Sequence, residues 1–333
     1  MPKTLLEAHD AILSDLDGVV YAGPYAIEGA PAALNRAQET GVQVAFVTNN
    51  ASRSVQTVAE HLVDLGVKTD AEHVISSAQA AAQLLADQLP AGAKVLITGA
   101  QALSDCVVAA GLTPVRSQAD APVAVAQGFN PKMVWEELAE AAYTLADEKV
   151  LWVASNTDFT IPKERGIAPG NGTLVGAVAT ATGRKPLVAG KPESPIFVTA
   201  AQKLGAKRPV VVGDRLDTDI QGGNRAHMAT AMVMTGVDTY QSVLAAISIE
   251  RPTYIIETLG GFFEPYPDIA VDVTASGARA RGAGFTATAE GSCLTVSGTG
   301  AEIDSWRVAC AAWWAANPAV HEAPLAPEVL NRV

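Results

Sequence analysis

The sequence predicts an α/β protein: a parallel sheet covered by helices on both faces, interrupted by an inserted α/β segment and followed by a small α+β module. Three observations predict it. Short β-rich apolar runs alternate with Ala-rich amphipathic stretches in two separated blocks, residues 1–78 and 184–258. A second alternation of the same kind fills residues 79–183 between them. From residue 259 to 333 the texture changes to alternating polar and apolar residues with frequent glycine, then an apolar stretch at helical spacing.

The first block reads AILSDL as strand, GAPAALNRAQETG as helix, VQVAFVTNN as strand and SVQTVAEHLVDLG as helix. The pattern resumes with PIFVTAAQKLGA, RPVVVGD, TDIQGGNRAHM, ATAMVMTGV and TYIIE, so the two blocks read as one discontinuous domain. The segment between them has strand candidates KVLITGA, APVAVAQGF and KVLWVASN and the helix candidate PKMVWEELAEAAYTLADE, enough for a core of its own. In the last block, VDVTASGARARGAGFTATAEGSCLTVSG suggests antiparallel strands and IDSWRVACAAWWAAN a helix. Trp306, Trp313 and Trp314 on that helix suit a core, a contact with the preceding domain or a homodimer contact. RARGAG, Arg279 to Gly284, matches the R-x-x-G-x-G pattern of an acetyl-coenzyme A loop, but such a loop opens a helix, and here the next stretch, FTATAEGSCLTVS, reads as strand.

Composition narrows the function. A formal charge of −12 opposes nucleic-acid phosphate, and no dense Lys/Arg run offsets it. No apolar stretch approaches the roughly 20 residues a membrane helix needs, and MPKTLLEAHDAIL lacks the long apolar region of a secretory signal, so a cytoplasmic protein is expected. Cys106, Cys293 and Cys310 are odd in number and widely spaced, which suggests neither a disulfide framework nor a zinc site. The five histidines show no paired metal-ligand spacing.

Chemistry concentrates where apolar runs end. In an extended segment residues two apart share a face, so Asp15 and Asp17 of SDLDG are expected to stand together at a strand end. Taken alone, the stretch fits an Asp-Gly turn equally well. In an open parallel sheet, however, the carboxyl ends of the strands form one rim, where SDLDG, VTNN and VVGDRLDTD can converge, and AGKP can reach it from a loop. A carboxylate there can attack phosphorus, which suits Asp15 to a nucleophile and Asp17 to a general acid and base. Thr48 and Asn49, with backbone amides around Asn50, can donate to phosphoryl oxygens, and Lys191 adds positive charge. Asp214, with Asp219 behind it, offers the hard oxygen ligands that Mg2+ prefers.

DLDGVVY, VTNN, AGKP and GDRLDTDI resemble the four motifs of the haloacid dehalogenase (HAD) superfamily, in its NagD-like or 4-nitrophenyl phosphatase branch, and the likeness runs from residue 11 to about 258. The resemblance implies a Rossmann-like core with an inserted α/β cap of the C2 type. It implies Asp15 as nucleophile, Asp17 as acid and base, and a metal held by Asp15, the Asp17 backbone carbonyl and Asp214. It places a substrate-specificity loop at SNTDFTIPKERG, making Asn156, Phe159, Ile161, Pro162 and Lys163 selectivity candidates, and Arg53 a candidate link between cap and core. Where relatives commonly carry an Asp-Arg pair, Phe129 and Asn130 stand instead.

The expected activity is Mg2+-dependent hydrolysis of a small phosphorylated metabolite, since a large cap favours small substrates over phosphoproteins. The likeness, extended to a truncated acetyltransferase-like C-terminal appendage, favours glycerol 3-phosphate over 2-phosphoglycolate, nucleoside monophosphates or pyridoxal phosphate. A metal-binding protein without catalysis is the non-enzymatic alternative. An EF-hand is excluded, because a loop starting at Asp15 needs Gly and Glu where Val20 and Ala26 stand, and a P-loop kinase is excluded because GxxxxGK[ST] is absent.

Overall fold

The run AILS forms strand Ala11–Ser14, buried at all four positions, as a strand flanked on both sides requires. On one side it pairs in parallel with Pro209–Gly213, Ala11 opposite Pro209 and Ser14 opposite Val212. On the other, Gln43 N–H donates to the Asp10 carbonyl (3.1 Å). In the computed structural model, which describes residues 4–163 and 165–332 (for 162, 163, 331 and 332 the backbone only), the chain forms two compact units. One comprises Met1–Val44, Leu65–Val67 and Ala206–Val333, the other Ala45–Asp64 and Lys68–Gly205.

In the first unit the parallel strands run in the order Tyr254–Ile256, Ala229–Val233, Pro209–Gly213, Ala11–Ser14. A five-stranded sheet lies in the C-terminal residues. Ala270–Thr274, Gly277–Gly282, Phe285–Glu290 and Cys293–Gly298 are antiparallel neighbours, and Val329–Arg332 joins in parallel beside the last, a strand the sequence pattern does not suggest. Alternate residues Ala278, Ala280, Ala287, Ala289, Leu294 and Val296 point inward, and their small size on two strands lets helix Glu302–Ala316 lie close on that face. Ala283 and Gly284 (φ 47° and 83°) make the turn between two of these strands. RARGAG therefore spans a hairpin and opens no helix, and the coenzyme-loop reading of that motif falls.

The helix does not stop at its own sheet. Its residues share one apolar cluster with Met232, Val243, Leu244 and Ile255 of the parallel-sheet layer. Tyr240 stacks on Trp306 with ring centroids 5.3 Å apart, Arg307 donates twice to the Ile255 carbonyl (2.9 and 2.7 Å), and Trp314 Nε1 donates to the Leu244 carbonyl (3.1 Å). Trp306 and Trp313 are buried in this shared cluster, and Trp306 and Trp314 touch the preceding domain, so the core reading and the domain-contact reading of these residues hold together.

The second unit contains an all-parallel sheet in the order Leu187–Val188, Leu151–Ala154, Ala124–Gln127, Lys94–Thr98, Thr113–Val115. Helices Trp135–Leu145 and Asn171–Thr182 cover one face through Leu96, Val125, Trp152, Val175 and Val178. Strand Val74–Ser76 pairs in parallel with the end of Gln43–Thr48. All three cysteines are free, and no helix among the described residues is long and apolar enough to cross a membrane.

Candidate active site

The strand Ala11–Ser14 stops one residue before the first aspartate. Asp15 still follows the strand's pairing and Asp17 forms a single β-bridge with Tyr21; buried Leu16 turns its carbonyl to the N–H groups of Val20 (2.8 Å) and Tyr21 (3.2 Å), so the chain turns back directly after the pair. Hydrogen bonds tie the segment on both sides of the pair. Asp15 N–H donates to the Val212 carbonyl (2.8 Å), Ser14 Oγ to the Asp15 carbonyl (2.7 Å) and Gly18 N–H to the Tyr21 carbonyl (2.9 Å). Asp15 is half-buried and Asp17 exposed.

Strand Pro209–Gly213 delivers Asp214, and the π-helical turn Leu216–Ile220 just beyond it returns Asp219 beneath; both acids are buried. Asp15, Asp214 and Asp219 each bring a carboxylate oxygen to within 4.8 Å of the others. Asp17 is not one of the three. Asp214 Oδ2 accepts the Val237 N–H (2.8 Å), and Thr235 Oγ1 donates to the Gly18 carbonyl (2.6 Å), which closes a frame around the cluster. Glycine is required there: a side chain at Gly18, itself at φ +77°, or at Gly236 would overlap the Asp214 carboxylate, and one at Gly213 would overlap that of Asp219. Arg215 holds Asp217 with two bonds (3.0 and 2.8 Å), and that contact first, then the charges of Asp217, Asp214 and Asp219, raises its pKa further. Three gathered carboxylates match the donor set of a hard divalent cation.

The second unit carries the other predicted residues. Thr48 Oγ1 accepts the Asn50 N–H (3.1 Å), and Asn50 Oδ1 accepts from Ser52 N–H (2.9 Å) and Oγ (2.8 Å), shaping the turn after strand Gln43–Thr48. Arg53 is exposed at a cavity of about 640 Å³ beside Gln79, Cys106 and Lys203, and burial pushes the Cys106 thiol up to about 11. Lys191 is 5% exposed, unlike the solvated lysine its type suggests.

Asn49 departs most from expectation. Its side-chain oxygen accepts the Lys191 N–H (2.8 Å), while Nδ2 donates to the Lys191 carbonyl (3.1 Å) and to both carboxylate oxygens of Asp158 (3.1 and 3.2 Å). The side-chain amide is thus taken up by the Lys191 backbone and the Asp158 carboxylate. Asn156 is buried and donates to the Asn49 carbonyl (2.7 Å). Phe159 is 71% exposed at the start of a hairpin formed by Thr160–Lys163 and Gly166–Pro169; Ile161 is half-buried, and of Pro162 and Lys163 only the backbone pairing, opposite Ile167 and Gly166, is described. Asp158 has no place among the sequence candidates, because nothing local separates it from a solvated loop acid.

An acidic cluster at the end of a parallel sheet, with an Asp-x-Asp segment at the strand end beside it, suits a metal-assisted hydrolase acting on phosphate esters. Haloacid dehalogenase-like hydrolase is the family description that matches residues 12–113, and a second, HAD-hydrolase-like, matches residues 188–262. A D-glycerol 3-phosphate phosphatase of Mycobacterium tuberculosis is 41% identical over 97% of this chain and 91% of that protein. The chain belongs to the haloacid dehalogenase-like hydrolases. Among solved structures, a glycerol phosphate phosphatase from M. tuberculosis matches 99% of this chain and 95% of its own, with TM-scores of 0.88 in complex with calcium (40% identity) and 0.85 with magnesium (39%). A p-nitrophenyl phosphatase from Archaeoglobus fulgidus matches 78% of this chain and 99% of its own, with TM-score 0.70 at 29% identity.

Proposed function

We propose that the chain hydrolyses glycerol 3-phosphate to glycerol and inorganic phosphate, with Mg2+, through a phosphoryl group carried on Asp15. One observation carries the substrate. The likeness to the mycobacterial glycerol phosphate phosphatase runs through the C-terminal sheet and helix, whereas the p-nitrophenyl phosphatase is matched almost whole by 78% of this chain.

In the reaction, an Asp15 oxygen attacks phosphorus as the bond to the glycerol oxygen breaks, and Asp17, exposed and two residues further along the chain, gives that oxygen its proton. Asp17, now a carboxylate, takes a proton from the water that attacks phospho-Asp15, releasing phosphate and restoring both groups. Lys191 and the amides after Thr48 are assigned to the charge on the phosphoryl oxygens. Asp15 and Asp214, with Asp219 behind them and the Asp17 carbonyl, would hold the Mg2+. When bound, the ion supplies the positive charge that lets these carboxylates and a phosphate share one small volume. Asn156, Phe159, Ile161, Pro162 and Lys163 are assigned to the alcohol end of the substrate, Arg53 to holding the cap, and the setting to the cytoplasm.

Steady-state kcat/KM values for glycerol 3-phosphate, 2-phosphoglycolate, a nucleoside monophosphate and pyridoxal phosphate, with and without Mg2+, test this. Glycerol 3-phosphate is expected to lead, with no turnover in chelator; a hundredfold preference for a nucleotide would sink the substrate assignment. Gly236→Ala is expected to raise the Mg2+ concentration for half-maximal turnover by roughly 10 to 100-fold, because its methyl displaces the Asp214 carboxylate. A magnesium titration at saturating ester checks it, and an unchanged requirement would remove Asp214 from the metal.

A further inference from the structure

We propose that Asp158 is a positioning residue: through the side chain of Asn49 it fixes the backbone that presents Lys191. The proposal rests on the phosphatase reading.

A primary amide has two N–H donors and one carbonyl acceptor. Asn49 spends the acceptor on the Lys191 N–H (2.8 Å) and one donor on the Lys191 carbonyl (3.1 Å), gripping the peptide groups on both sides of that residue's Cα. This pair of bonds sets the direction in which the lysine side chain leaves the backbone. The remaining donor goes to Asp158 (3.1 and 3.2 Å). An ionised carboxylate only accepts, so it admits the NH2 end of the amide and rejects the oxygen end. Turned over, the amide would set its oxygen against the Asp158 carboxylate and the Lys191 carbonyl, and its NH2 against the Lys191 N–H. Asp158 therefore reinforces the one amide orientation in which Lys191 is held and anchors the amide's free donor, so that the clamp stays in place.

The loop bearing Asp158 is tied to the same residue from its other side. Asn156 Nδ2 and Ser77 Oγ both donate to the Asn49 carbonyl (2.7 Å each), Asn156 Oδ1 accepts the Asp158 N–H (3.2 Å), and Asn171 Nδ2 donates to the Asn156 carbonyl (2.7 Å). Close approach is built in: a side chain at Gly190 would overlap Asn49 Oδ1 and the Ser155 carbonyl, and one at Gly170 the Asp158 carbonyl. The loop assigned to the substrate's alcohol end and the lysine assigned to its phosphoryl end are thus two ends of one network centred on Asn49. A loop set wrongly by an ill-fitting alcohol would loosen the lysine.

The test uses the full-length chain with Mg2+ and two esters, glycerol 3-phosphate and p-nitrophenyl phosphate, in a cycle of Asp158→Ala, Asn49→Ala and the double variant, with Asp158→Asn beside them. Asp158→Ala is expected to lower kcat by roughly 100-fold, the usual cost of a misplaced group, and equally for both esters, because the effect passes through Lys191. Asp158→Asn, which keeps an acceptor oxygen, is expected to recover most of that loss, and the double variant to be no slower than Asn49→Ala alone. Single losses that multiply in the double variant, or a loss confined to KM for glycerol 3-phosphate, would overturn the proposal, the latter by making Asp158 a substrate contact. Should Asp158→Ala not fold, the same cycle with Asp158→Leu, of similar size and without an acceptor, decides on additivity. A wild-type chain inactive on both esters would bring down the phosphatase reading itself; an active wild type with an equally active Asp158→Ala would bring down only the role of Asp158.

Discussion

Asp15→Asn is expected to abolish turnover, lowering kcat on the order of 10⁴-fold or more, the scale seen when a nucleophile is removed, while the chain stays folded. The substitution keeps the size of the side chain and replaces an attacking, ligating oxygen with an amide nitrogen. The bonds that hold the turn, Asp15 N–H to Val212 and Ser14 Oγ to the Asp15 carbonyl, use only the backbone of residue 15 and survive. Without metal the variant should melt no lower than the parent, because one of three carboxylates within 4.8 Å has been neutralised and their repulsion falls. Thermal melts in chelator and initial rates with Mg2+ check both halves. A variant retaining a tenth of the parent rate would rule out phospho-Asp15, and one that melts well below the parent in chelator would show that Asp15 holds the fold together.

What made this site readable is that its acids sit where buried strands end. The apolar runs AILS and PVVV announce the strands, and each soon gives way to an acid in a place where a core residue would otherwise continue. The carboxylates of Asp15 and Asp214 could be placed together on that basis alone. Finer geometry could not. That the chain turns back between Leu16 and Tyr21 is a consequence of several N–H groups converging on the Leu16 carbonyl, and hydrogen bonds of this kind leave no trace in a two-residue spacing. Asn49 illustrates a different limit. Its residue type suits a phosphate donor as well as a backbone clamp, and the choice is made by Lys191, 142 positions away in sequence. Asp158 lies in the loop SNTDFTIPKERG that the resemblance points to, yet nothing sets it apart from its neighbours there, since its significance comes from what Asn49 does with its last donor.

The C-terminal residues show the same limit at the scale of a domain. A change of texture near residue 259 suggests a separable module, and the strands Ala270–Thr274 to Cys293–Gly298 and helix Glu302–Ala316 do form where the pattern places them. Periodicity does not say what the second face of a helix meets. Here it meets the parallel-sheet layer, so a chain ending at residue 263 is expected to be insoluble or molten and not a smaller active phosphatase. Truncation would strip the apolar cluster of Ile303, Trp306, Val308, Cys310 and Trp313, expose Met232, Val243, Leu244 and Ile255, and leave Arg251 without the Asn317 carbonyl it holds at 2.7 Å. Each such side chain is worth about 1.5 to 3 kcal/mol when fully buried, and a domain's whole margin is only about 5 to 15 kcal/mol. Trp306→Ala gives the graded version: it removes the stack on Tyr240 and leaves a void between helix and sheet layers, at a cost of about 3 to 5 kcal/mol. Urea melts of the point variant and size-exclusion of the truncated chain measure the two effects. A truncated chain that elutes as a compact species and keeps its kcat would show that the helix merely rests on the phosphatase core; the shared cluster and the bonds to Ile255 and Leu244 require instead that it be part of that core.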